Sequence, residues 1–220
     1  MNSLFSYDNK IMQALNVMAD YIILNMLYVA CCIPIFTIGA AQAGLYNGLR
    51  ILQDKDNDTS CVKAFFRGFK SGFGTITLTW GIVTLLTLAN LYNILAVYVF
   101  KTAQFTGATL PLAVSIAGSI IAAIYQCMLP LFHAHFACTA KQLFKNTFLV
   151  IMANPMQSIV TALMVWLPAL ALMFFYDMFV QSSIILVFMY YSVAMGLSVR
   201  LISKPFKRLI DNFNNPTEEN

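Results

Sequence analysis

Long unbroken apolar runs, separated by short polar segments, set the pattern of this chain. Five stretches carry no Lys, Arg, Asp or Glu before their terminal residues: 22–43, 76–100, 110–132, 156–175 and 183–201. A hydrocarbon core of ~30 Å needs ~20 helical residues, and each run is about that long. A backbone in lipid must satisfy its own hydrogen bonds, and the runs lack the strict alternation of a membrane barrel strand. The pattern therefore predicts an all-α fold. The expected architecture is a single polytopic membrane helical bundle over 1–220, with about five transmembrane helices and a cytoplasmic tail at 202–220.

The longest inter-span segment has a pattern of its own. After the polar run Asp54 to Thr59, apolar residues fall at Val62, Phe65, Phe66, Phe69 and Phe73, with Lys63, Arg67 and Lys70 elsewhere on the helical wheel. This spacing predicts an amphipathic cytoplasmic interfacial helix over about 60–73. Its expected use is as an anchor on anionic headgroups, with docking of a cytoplasmic partner as the alternative. The candidate lipid or partner contacts are Phe65, Phe66, Arg67, Phe69, Lys70 and Phe73, joined by Lys141, Phe144 and Lys145 after the third run.

Charge then orients the bundle. Eleven of the 13 Lys and Arg lie between runs one and two, between runs three and four, or after run five; Lys10 and Lys101 fall on the other side. By the positive-inside rule the amino terminus is expected outside and the carboxyl terminus in the cytoplasm of a bacterial plasma membrane. Apolar residues make up 60% and charged residues 10%, too few charges to cover a soluble catalytic domain. The net charge of +4 does not point to nucleic acid, because no basic stripe interleaves with stacking aromatics. The five cysteines, an odd count that includes adjacent Cys31 and Cys32, read as reduced thiols. Asp8, Lys10 and Asp20 precede the first run in place of a basic n-region, so no cleaved signal peptide is expected. Tyr28 to Cys31 is only a faint lipoprotein box.

Candidate chemistry is sparse. The sequence holds no phosphate loop, HExxH, GxSxG, CxxC or embedded Asp pair, so no enzyme activity, cofactor or metal is expected. His133 and His135 sit about 200° apart on a helix and read as interfacial hydrogen-bonding histidines. Asn90, Asn93 and Gln126 are candidate pocket polars, with interhelical hydrogen bonding the favoured role. Ala40, Gly44 and Gly48 carry the spacing of close helix packing. Pro34 predicts a helix break near the cytoplasmic interface, relaxed further by Gly39 and Gly44, with Thr37 placed to satisfy a freed carbonyl. A weak internal repeat pairs Pro34-Ile35-Phe36 with Pro130-Leu131-Phe132, and Phe69 to Phe73 with Phe144 to Phe148.

Asn25 within Ile22 to Leu27, followed by Cys32-Ile33-Pro34-Ile35-Phe36-Thr37-Ile38-Gly39-Ala40, resembles the NxxW…xPIxTxG signature of the YesL-like family of small bacterial membrane proteins, a domain of unknown function. Phe65 to Phe73 resembles that family's basic aromatic loop, and Leu143 to Pro155 its LxKNxxLxxxxNP segment. Tyr28 or a neighbour stands where the family often has Trp, and Phe36 replaces a smaller aliphatic. The resemblance implies a Gram-positive source and gene neighbourhoods of sugar ABC transporters and glycan-degrading enzymes. The expected function is thus a non-enzymatic accessory to carbohydrate uptake, contacting the lipid bilayer and the permease or ATPase of a sugar ABC transporter. The chain lacks the cytoplasmic-loop pattern of such permeases themselves. The alternatives are a small transporter or channel in its own right, or a membrane enzyme acting on lipid or glycan.

Overall fold

The computed structural model describes residues 10–54, 59–99, 109–136, 138–174 and 190–201, and no strand occurs among them. The elements are α1 (Lys10–Cys31), a 3-10 turn (Ile35–Thr37), α2 (Ile38–Gln53), α3 (Cys61–Lys70), α4 (Phe73–Val99), α5 (Thr109–His135), α6 (Ala140–Ala153) and α7 (Pro155–Phe174). Residues 190–201 form α8.

The run 22–43, expected as one span, is divided between two helices that double back. Pro34 has no N–H to donate and disfavours helical geometry at Ile33, so α1 stops at Cys31 and Pro34 is extended at φ −78°, ψ 114°. Thr37 Oγ1 lies within hydrogen-bond reach of the carbonyls of Cys31 and Pro34, the latter at 2.6 Å, filling the expected role. Pairings across the turn give the direction. Gln53 Nε2 donates to the Tyr21 hydroxyl at 3.4 Å, and a Cβ on Gly48 would lie 2.7 Å from a Leu24 methyl. Position 21 meets 53 and 24 meets 48, so α1 and α2 form an antiparallel hairpin. Its tip exposes Ile33, Ile35 and Phe36.

Helix α2 is the core of the bundle. Every residue from Gly39 to Tyr46 is buried, as are Gly48 and Leu49, among α1, α3 and α5. The close packing predicted from Ala40, Gly44 and Gly48 is present. A Cβ on Gly44 would meet the Phe65 carbonyl at 2.9 Å, and one on Gly68 would meet the Ala43 carbonyl at 3.0 Å and Gly44 Cα at 3.1 Å. Gly39 presses on Trp80 of α4 in the same way.

That approach corrects the reading of the amphipathic helix. The apolar face of α3, made by Cys61, Ala64, Phe65 and Gly68, is buried against α2 instead of facing headgroups. Phe65 is fully buried, and Phe69 and Phe73 pack partly against the same core. Two glycines at the crossing admit the backbones so closely that protein, not lipid, covers this face.

Among the described residues, two helices are long and apolar enough to cross a membrane: Phe73–Val97 within α4 and Leu110–His135 within α5. The pair Ala140–Ala153 and Pro155–Leu167 makes a third only if taken as one span bent by 106°, and Leu15–Cys31 is shorter. Chain 175–189, including the start of the expected fifth span, lies outside the described residues, as do Phe100 and the tail from 202. Leu85, Leu86, Leu88, Tyr92, Leu110, Val114, Ile120 and Ile121 are exposed on α4 and α5, as lipid-facing residues would be. The two prolines of the proposed repeat differ in setting: Pro34 heads a 3-10 turn, whereas Pro130 lies inside α5.

Candidate functional site

A polar cleft of about 220 Å³ opens where α2, α3 and α5 end together, lined by Asn47, Arg50, Ala64, Arg67, Ser71 and His133 among others. Each helix supplies its last turns. The interlocked glycines bring the Asn47 and Arg50 edge of α2 against Ala64, Arg67 and Gly68, and Asn47 Nδ2 donates to the Ala64 carbonyl at 3.2 Å.

The two histidines of α5 serve different partners, as their angular separation requires. Arg50 Nη1 lies 3.2 Å from His135 Nδ1, and His135 Nε2 lies 2.6 Å from the Tyr46 hydroxyl. Guanidinium only donates, so His135 Nδ1 accepts and its Nε2–H donates to the Tyr46 oxygen. Burial pushes the Tyr46 phenol well above its ordinary pKa, despite the opposing charge of Arg50, and keeps it protonated. His133 is 6% exposed, and its Nε2 donates to the Ser71 carbonyl at 2.8 Å. The ring sits against Gly72, where a Cβ would come within 2.5 Å of it; Gly72 has φ +61°, so both conformation and space call for glycine there. His133 Nδ1 is buried and has no hydrogen-bond partner.

Of the residues expected to carry function, Arg67 lines this cleft, while Phe66 and Lys70 are exposed on α3 nearby. Lys141 and Lys145 are exposed on α6, and Phe144 is half-buried with its ring 6.3 Å from that of Tyr125. Pro34, Thr37, Gly39 and Gly44 shape the hairpin, and Asn25 is fully buried in α1. The candidate pocket polars are elsewhere. Gln126 Nε2 donates to Thr84 and Thr87 Oγ1 at 3.3 Å, Asn90 packs on Gly118, and Asn93 is exposed. Gln126 and Asn90 join α4 to α5, and none of the three lines this cleft or the more apolar groove between α1 and α8. Asn47, Arg50 and Ser71 were not singled out from sequence; the available signal was Asn47 and Arg50 spaced i, i+3 on one face of α2.

Among the described residues, no three His, Cys, Asp or Glu side chains converge to hold a metal, and all five cysteines are free. Residues 21–94 match the model of a family described as Protein of unknown function, DUF624. The match covers the second half of α1, α2, α3 and most of α4, and so includes Asn47, Arg50, Arg67 and Ser71 but not His133. No curated protein and no solved structure matches the chain.

Proposed function

We propose that this chain is a multi-pass protein of the bacterial plasma membrane, similar to YesL-like proteins, and a non-enzymatic accessory of carbohydrate uptake that contacts the permease or ATPase of a sugar ABC transporter. The observation that carries it is the gathering of exposed cations at one end of an otherwise apolar bundle. Arg50, Lys63, Arg67 and Lys70 belong to the α2–α3 corner, and Lys141 follows α5 by six residues from the His135 that Arg50 touches. At the far end, α4 and α5 expose leucine, isoleucine and tyrosine. A cationic end favours the cytoplasmic face.

The hairpin changes the expected topology. An amino terminus outside presupposed one crossing between 22 and 43, whereas Tyr21 lies beside Gln53. Our reading places both ends of the α1–α2 hairpin on the cytoplasmic side, with its apolar tip at Ile33, Ile35 and Phe36 dipping into lipid. Helices α4, α5, the bent α6–α7 pair and the apolar run 183–201 then give four crossings in place of five, leaving Lys101 as the one Lys or Arg outside.

The test is recovery of a tagged full chain from the native membrane in mild detergent. Co-purification of a carbohydrate permease or ATPase is expected, with loss of most of it on combined Lys70→Glu and Lys141→Glu substitution. Absence of any transporter component, under conditions that keep known transporter complexes whole, rejects the reading.

A further inference from the structure

We infer that the cleft between α2, α3 and α5 binds the phosphate ester of a polyol, with Arg50 and Arg67 on the phosphate oxygens and His133 and Asn47 taking hydrogen bonds from its protonated oxygen or hydroxyls. The inference goes beyond the partner proposed above, and a failed co-purification leaves it standing.

The argument begins with charge. Two guanidinium groups line one concave site of about 220 Å³, and among the described residues no carboxylate does. The Arg67 guanidinium has no hydrogen-bond or ion-pair partner among the described residues. Three helix C-termini meet here, and each offers at most ~0.5 of a negative charge, so the macrodipoles do not cancel two arginines with Lys70 alongside. Concave, partly dehydrated walls strengthen such a field for an anion. Arginine's planar fork of donors suits phosphate oxygens.

A bare anion leaves half of the site unused. His133 gives its Nε2–H to the Ser71 carbonyl, so Nδ1 of the neutral ring is an acceptor, and it is buried without a partner. Asn47 gives its amide N–H to Ala64, which leaves its Oδ1 as a second acceptor. An unpaired buried acceptor is costly, and a ligand hydroxyl that reaches it after a small turn of the ring recovers this. The cleft therefore asks for a ligand that is anionic and also carries O–H groups. Phosphate esters of polyols do both, whereas sulfate at neutral pH has no proton to give. The same chemistry occurs in a soluble polyol phosphate and in a phosphatidylglycerol headgroup.

The experiment uses the full chain in detergent and in nanodiscs, with three probes: glycerol 3-phosphate, sodium sulfate and bilayers with or without phosphatidylglycerol. Calorimetry at low ionic strength is expected to show saturable glycerol 3-phosphate binding at least about tenfold tighter than sulfate. Arg67→Gln, at an exposed position, is expected to weaken it about tenfold or more. His133→Gln keeps a donor for Ser71 and removes the acceptor, and is expected to close the gap between the two anions. Binding of phosphatidylglycerol alone, with the same dependence on Arg67, assigns the site to lipid. Equal binding of sulfate by the unaltered chain, or affinities untouched by Arg67→Gln for both probes, overturns the assignment.

Discussion

Tyr21 and Gln53 are 32 residues apart in sequence and joined by a 3.4 Å hydrogen bond, which brings the chain entering the α1–α2 hairpin and the chain leaving it to the same level of the bundle. Lys10→Cys and Lys63→Cys, each in a chain cleared of native cysteines, are therefore expected to share a membrane side. An impermeant maleimide should label neither in intact cells and both after permeabilisation. Labelling of position 10 alone from outside would return the run to a single crossing.

The α2–α3 contact sets a sharp steric limit. Gly68→Val would drive a branched side chain into the Ala43 carbonyl and Gly44 Cα, and overpacking of this kind costs about 1–3 kcal/mol. Gly81, on α4, has nothing within 4 Å of an added Cβ. Gly81→Ala is expected to leave stability unchanged or raise it by about 0.5–1 kcal/mol through helix propensity. Unfolding in mixed micelles with increasing SDS compares the two, and equal effects would contradict the packing.

Tyr28 stacks on Tyr191 with ring centroids 4.3 Å apart and planes within 3°, and Gln42 Nε2 donates to the Tyr191 hydroxyl. This clamp holds the hairpin against α8. Tyr191→Phe keeps the stack and removes the acceptor, so a loss of about 0.5–1.5 kcal/mol is expected. Tyr191→Leu should cost more. A double-mutant cycle with Tyr28→Leu measures the stack itself, for which about 0.5–1.5 kcal/mol of coupling is expected.

Cys61 Sγ lies 3.7 Å from Asp20 Oδ1. Burial first, then the charge and hydrogen bond of Asp20, push the Cys61 thiol above its ordinary pKa, so less thiolate is present at pH 8 than for a free cysteine. Asp20→Asn removes two raising causes and should move the alkylation midpoint to lower pH. Rates at pH 8 should rise, while rates above both midpoints converge. The pH profile of iodoacetamide labelling, with the other four cysteines replaced, checks this; an unmoved midpoint would place Asp20 away from α3.

Some of this fold was legible in the chain because its causes are local. The runs 76–100 and 110–132 became Phe73–Val99 and Thr109–His135 with small boundary shifts, since apolar length alone makes such helices. The alternation of phenylalanine and cation over 60–73 foretold α3 but not what covers it. Lipid and a neighbouring helix are both apolar, and only the glycine-lined approach of α2 selects the helix. The cleft was less legible still. Arg50 entered the sequence reading as one charge in a loop count, yet its partner His135 lies 85 residues away.

By itself, then, the sequence determined helix, apolarity and the break at Pro34, because these follow from residue type and spacing over one or two turns. Tertiary structure decided that the broken run reverses, that Phe65 turns inward and that two arginines share a cleft with His133. A proline ends a helix without saying where the chain goes next. The direction comes from contacts such as Leu24 on Gly48 and Tyr28 on Tyr191, between residues that no local pattern connects.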